Sequence, residues 1–278
     1  MKVNVRSRIR SVDFKKSNIL QLVNSSWTGD SAVSHSIFEI SPINDFRRLG
    51  ECGFRTVSRW AFDCFTETYE AQEAHAATTF YRHISGTPAA ASLWGHVFER
   101  RVLNRIDVGG FNFPIRGLPV PEETTLPEGT TLPEETTWTC RRRPIPRSKF
   151  LQESDFVEQI TKAIQENKEL HLVPSAPNFK AVDSILYAPN EVLTCIQATV
   201  SRKDHGILVP GLRCIQRWLG RGPLAHLRPK KDRPWRFIFV VPSDEAPTFE
   251  FQRFERDTAH GEWAGKVHQY VLGLDVLE

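Results

Sequence analysis

From Thr56 to Phe80 the chain contains neither Pro nor Gly and repeats apolar residues at helical spacing, among them Val57, Trp60, Ala61, Cys64 and Phe65. That spacing predicts one or two amphipathic helices. After a start signal at Gly86, Thr87 and Pro88, the residues Trp94, Phe98, Val102 and Ile106 recur at every fourth position, which predicts a longer helix with Glu99 at the edge of its apolar stripe. Trp138 to Arg143 reads as a strand, and Asp155 to Lys168 as a helix turning Phe156, Ile160, Ala163 and Ile164 inward. Two strand-like runs, Ala181 to Tyr187 and Leu193 to Ser201, are joined by Ala188, Pro189, Asn190 and Glu191, the signature of a hairpin. A helix over Ile207 to Leu219, a buried strand over Arg236 to Val241 and a last helix near Ala264 to Leu274 complete the pattern. Strands interleaved with helices predict a mixed sheet flanked by helices, hence an α/β domain carrying an N-terminal, mainly helical extension.

Two segments fall outside that pattern. Residues 1–55 alternate short apolar groups with Ser, Asn and charge and are expected to be an appendage, leaving 56–278 as the main domain. Within it, Pro121 to Thr137 reads PEETTL, PEGTTL, PEETT, three near-copies rich in Pro, Glu and Thr that supply no core and read as an insert between folded elements.

Composition narrows the class. A chain of 278 residues with 40% hydrophobic positions has enough apolar material for one sizeable core and a small appendage. Its longest aliphatic and aromatic run, Phe237 to Val241, is far short of the ~20 residues of a membrane helix, and Met1 to Phe14 interleave Arg and Lys with Val and Ile without building a signal-peptide core. No membrane partner and no export by the ordinary route are expected. The five cysteines, at 52, 64, 140, 195 and 214, include no CxxC pair, so free thiols in a reducing, intracellular compartment are expected. With 36 basic and 33 acidic residues the net charge says little, but its distribution says more. Arg141, Arg142, Arg143, Arg147 and Lys149 form one basic cluster, and Arg228, Lys230, Lys231, Arg233 and Arg236 another. Each is a candidate for contacts to nucleic-acid phosphates, and each is also what a solvated basic loop looks like.

The candidate chemistry sits in the hairpin. Alternation along its second strand predicts Ile196, Ala198 and Val200 on the core side and Cys195, Gln197 and Thr199 on the other. Asp183 interrupts the otherwise apolar first strand, so a carboxylate lies beside an amide and a hydroxyl. Hard oxygen donors of this kind suit Mg²⁺ or Mn²⁺, and a divalent metal is what polarises a phosphodiester for attack by water. An exposed edge carboxylate is the simpler account of Asp183 alone. Cys195, His205 and Cys214 are too irregularly spaced for a zinc site, and no GxxxxGK[ST], GxSxG or GxGxxG occurs.

The stretch NFKAVDSILYAPNEVLTCIQATVSRKDHGI, with HLVPSAP and the helix GHVFERRVL before it, resembles the restriction-endonuclease-like, PD-(D/E)XK-type domain of Crinkler effectors and of retrotransposon-hot-spot proteins. The likeness covers roughly residues 56 to 278, and HQYVLGL near the end looks like the family's C-terminal helix. The resemblance implies a restriction-endonuclease-like core and a Mg²⁺- or Mn²⁺-dependent endonuclease acting on DNA, double-stranded and largely without sequence preference. It places the family's helical Glu at Glu99, its strand Asp at Asp183, its Gln-x-Thr signature at Gln197 and Thr199, and the following His at His205. On this basis Asp183, Gln197 and Glu99 would serve the metal. Thr199 stands where the wider superfamily carries a catalytic Lys, and Lys203, four residues on, is the nearest candidate to supply that charge. Arg141, Arg142, Arg143, Lys203, His205, Lys230 and Lys231 would contact the DNA, an activity that implies an intracellular, nuclear site of action. The family's N-terminal translocation module and P-loop NTPase have no counterpart in this sequence, which leaves secretion as an effector open. The missing Lys motivates a second expectation, a catalytically inactive nuclease fold that binds nucleic acid or a host protein.

Overall fold

The computed structural model describes residues 38–42, 52–56 and 59–277, except for 73, 87–89, 122–132, 141–142, 176–178, 180, 202–205, 221, 256–262 and 264. It divides into two compact units, one of residues 1–98 with the last two residues, the other of residues 99–276. In the first unit β1 (Phe38–Pro42) and β2 (Cys52–Thr56) form an antiparallel hairpin, followed by α1 (Arg59–Gln72) and α2 (Ala74–Ser85). These two helices have an aromatic core of their own, in which Phe65 meets Tyr69 at 5.7 Å and Phe80 at 6.2 Å between ring centroids. Helix α3 (Ala91–Val108) crosses the boundary, with Trp94, Phe98, Val102 and Ile106 all buried as their spacing predicts.

The second unit is mixed α/β. Its elements are β3 (Phe111–Gly117), β4 (Thr136–Cys140), β5 (Arg147–Phe150), α4 (Glu153–Gln165), β6 (Leu170–Pro174), β7 (Ser184–Tyr187), β8 (Thr194–Ala198), β9 (Ile207–Leu208), α5 (Val209–Trp218), β10 (Trp235–Val241), β11 (Phe254–Glu255) and β12 (Val267–Gly273). Eight strands form one curled sheet in the order β4-β3-β12-β10-β8-β7-β6-β5, while β9 and β11 pair separately. β6, β7 and β8 run as an antiparallel meander; β8 is parallel to β10, and β10 to β12. Helix α4 turns Phe156, Ile160 and Ala163 inward, and it stops where Asn167 takes a left-handed φ of 50° and Lys168 N–H reaches back to the Ala163 carbonyl. Both α4 and α5 pack on the sheet face that carries Leu172, Ile185, Cys195, Phe237 and Phe239. Among the described residues no helix is long and apolar enough to cross a membrane.

Three expectations need correction. The closing helix near Ala264 to Leu274, including the HQYVLGL segment, is the strand β12, hydrogen-bonded in parallel to β10 along its length. The alternation along the second hairpin strand holds, but the Cys195 side is core as well, since Cys195 and Ile196 are both wholly buried. The sheet is covered on both faces, as sheets with parallel central strands are. Finally, the repeat does not lie wholly outside the folded elements. Residues 122–132 are outside the described set, but Thr136 and Thr137 belong to β4 and pair with Ile115 and Pro114 of β3. Pro133 lies so close to Gly117 that a Cβ there would collide with its carbonyl oxygen. Excising residues 122–132 with a short linker should therefore leave the urea midpoint nearly unchanged, since closure entropy grows only logarithmically with loop length. Excising 121–137 should lower the midpoint clearly by removing two β4 pairs. Equal midpoints for the two deletions would contradict this boundary.

Candidate functional site

The pairing of the central strands fixes which side chains share a row. Across the sheet, Phe150 pairs with Pro174, Gln197 with Phe239 and Phe239 with Val271; continuing the β7–β8 register by one residue sets Asp183 opposite Gln197. Phe150, Phe239 and Val271 are buried. Asp183 and Gln197 are thus a polar pair at the end of the hairpin, flanked by Pro174 and Phe239 in a row that runs on through Val271 to Arg116 of β3. Asp183 N–H donates to the Ile196 carbonyl at 2.9 Å, and Ala198 N–H donates to Asp183 Oδ2 at 2.7 Å. The carboxylate therefore has a structural duty, completing the ladder just before β7 begins. Gln197 Oε1 is buried and has no hydrogen-bond partner among the described residues. A buried acceptor left unpaired costs about 1–3 kcal/mol, so it marks a place where a donor or a cation is wanted. Two residues upstream of Asp183, Ala181 holds a φ of 90°, strained for a residue with a Cβ, as segments at functional sites often are.

Thr199 follows at the strand end. It is buried, its N–H donates to the Val240 carbonyl at 2.9 Å, and its Oγ1 accepts Ser201 N–H at 3.2 Å. The hydroxyl closes a turn, and the position carries no charge. Glu99 is half-buried on α3. That helix meets the other face of the sheet eight residues later, where Asp107 reaches His171. The structure thus brings Asp183, Gln197 and Thr199 together and sets Glu99 on a separate element. Lys203, His205, Arg141 and Arg142 lie outside the described residues. Arg143 donates to the Gly110 carbonyl at 2.6 Å and Arg147 is paired with Asp107, so both have structural roles. Lys230 and Lys231 are exposed on a turn before β10, at the Glu191 end of β8 and not at the Gln197 end. Among the described residues no three or more His, Cys, Asp or Glu side chains are grouped so that they could hold a metal ion. The described cysteines are free thiols, and complete burial pushes that of Cys195 up to about 12, so it offers no thiolate.

Sequence reasoning missed one cluster. His171 on β6 is wholly buried, its Nδ1 lies 2.6 Å from Asp107 Oδ1, and Asp107 Oδ2 is 2.6 Å from Arg147 Nε. Arg147 also donates to Asn104 Oδ1 at 3.1 Å. The chain Arg147–Asp107–His171 ties α3 to β5 and β6. Because no part of the imidazole reaches solvent, it is a clamp and not a catalytic base. The signal available in the sequence was a lone His inside the apolar run Leu170, Leu172, Val173, which demands a buried partner.

Compared with family models, with curated proteins and with solved structures, the chain matches none.

Proposed function

We propose that the chain is a metal-dependent nuclease hydrolysing phosphodiester bonds in DNA on a restriction-endonuclease-like core of the Crinkler type. The observation that carries this reading is the Asp183–Gln197 pair, a carboxylate facing an amide whose buried oxygen has no partner among the described residues, flanked in its row by Pro174 and the buried Phe239. This donor set fits a hard divalent cation, which needs only one or two protein oxygens when phosphate and water complete its shell. Asp183 and Gln197 would hold Mg²⁺ or Mn²⁺, with phosphate and water completing the shell; Glu99, on a helix that meets the other face of the sheet, is not part of this pair. When bound, such an ion polarises the phosphoryl group and lowers the pKa of water. The protein's own part is to hold Asp183 by the Ala198 N–H and to set Gln197 on the same row, beside the buried Phe239. A mixed sheet flanked by helices is the architecture such a core requires.

A second reading, an inactive nuclease fold that binds nucleic acid or a host protein, draws on Thr199. Its hydroxyl is committed to Ser201 N–H, so the position that should supply positive charge supplies a turn. Incubating the purified chain with supercoiled plasmid separates the two. Nicked and linear products with Mg²⁺ or Mn²⁺, and none with EDTA, are the expected result. Retention of the plasmid in a shifted but uncut state under every condition would favour the binding reading.

A further inference from the structure

We infer that the turn Arg228–Arg233 is a built docking surface for the phosphate backbone of nucleic acid, remote from the Asp183–Gln197 pair. In sequence this stretch reads equally as a solvated basic loop; its structure argues otherwise. Lys230 N–H donates to the Arg233 carbonyl at 3.1 Å and Arg233 N–H returns to the Lys230 carbonyl at 3.2 Å, closing a tight turn with Lys231 and Asp232 at its tip. The Arg233 guanidinium fastens that turn to its surroundings, donating to the His226 carbonyl at 3.2 Å and to the Glu191 carbonyl at 3.0 Å. On the far side, wholly buried Trp235 donates Nε1–H to the Leu227 carbonyl at 2.7 Å. Arg228, Lys230 and Lys231 are left exposed on a backbone fixed at both ends.

The surrounding charges do not cancel this surface. Arg236 lies 3.7 Å from Glu191, whose side chain is 55% exposed, and Asp232 is the acidic residue within the turn itself. Counting Arg228, Lys230, Lys231, Arg233 and Arg236 against Asp232 and Glu191 leaves three positive charges. A rigid backbone bearing mobile ammonium groups suits a repeating phosphate array, because little main-chain entropy is lost on binding and each neutralised phosphate releases counterions. Glu191, in the link before β8, and Gln197 on that strand are six residues apart, at most about 20 Å. DNA held at this turn therefore reaches the pair only by running along the sheet, and affinity becomes separable from cleavage.

The inference takes from the proposed function only its nucleic-acid partner. It is tested in EDTA, where nothing is cut, by fluorescence anisotropy of a labelled duplex over a salt series. Lys230→Ala/Lys231→Ala should weaken binding about tenfold and make the log–log salt slope shallower by about two, while the control Lys162→Ala leaves both unchanged. Unchanged affinity and slope in the double variant would overturn the inference. So would sedimentation of the protein with phosphatidylserine vesicles that the double variant loses, in the absence of duplex binding, which would assign the turn to a membrane surface. Retained duplex binding with no cleavage in Mg²⁺ would leave this inference standing and remove only the nuclease reading.

Discussion

Asp183→Asn should lower metal-dependent plasmid cleavage by about a thousandfold or more while leaving the unfolding midpoint close to that of the natural protein. The substitution keeps an oxygen to accept Ala198 N–H and removes the charge that holds the cation. Asp183→Ala is a poorer probe, because it also strands that N–H and should cost about 1–3 kcal/mol of stability. Cleavage by Asp183→Asn equal to that by the natural protein would remove the pair from the proposed chemistry and leave Asp183 with its structural duty alone. Stability loss in Asn equal to that in Ala would show that the carboxylate acts mainly through its charge in folding.

The second large effect concerns His171. Burial, the dominant influence, holds its imidazole below the ordinary value of 6.5, opposed by the Asp107 carboxylate and reinforced by the Arg147 charge. A group whose folded pKa is depressed binds fewer protons in the native state than in the unfolded state between the two values. Its contribution is therefore fully present above about pH 6.5 and is lost as the pH falls through the folded value. The natural protein should lose urea stability in that window. His171→Ala should cost about 3 kcal/mol near pH 8, from the lost hydrogen bond and the cavity, and should show a smaller loss on acidification. Parallel pH profiles for the two proteins would contradict the assignment of the clamp.

The parts of this molecule that were legible in sequence share one property, a pattern confined to a few neighbouring residues. The hairpin of β7 and β8 announced itself through two apolar runs and a four-residue polar link, and α3 through a four-residue repeat whose members are all buried. Strand β12 was misread because Val267, Tyr270 and Val271 fall at helical spacing, and because a strand covered on both faces shows no alternation to betray it. Strand β3 was hidden by Pro114, which interrupts an otherwise strand-like run yet pairs with Thr137. At the candidate site, the nearness of Asp183 to Gln197 was readable from hairpin geometry alone. The unpartnered amide oxygen and the Ala198 N–H on the carboxylate were not, since both depend on register and on what covers the sheet. The Asp107–His171 contact joins residues 64 apart in sequence and left only a misplaced His as its trace.

Whether the pair holds a divalent cation is tested most directly by electron paramagnetic resonance of Mn²⁺ titrated with the natural protein and with Asp183→Asn. The account predicts that the natural protein quenches the signal of free Mn²⁺, that Mg²⁺ restores it, and that Asp183→Asn binds at least tenfold more weakly. Equal Mn²⁺ affinity in the two proteins, or no binding by the natural one, would contradict it.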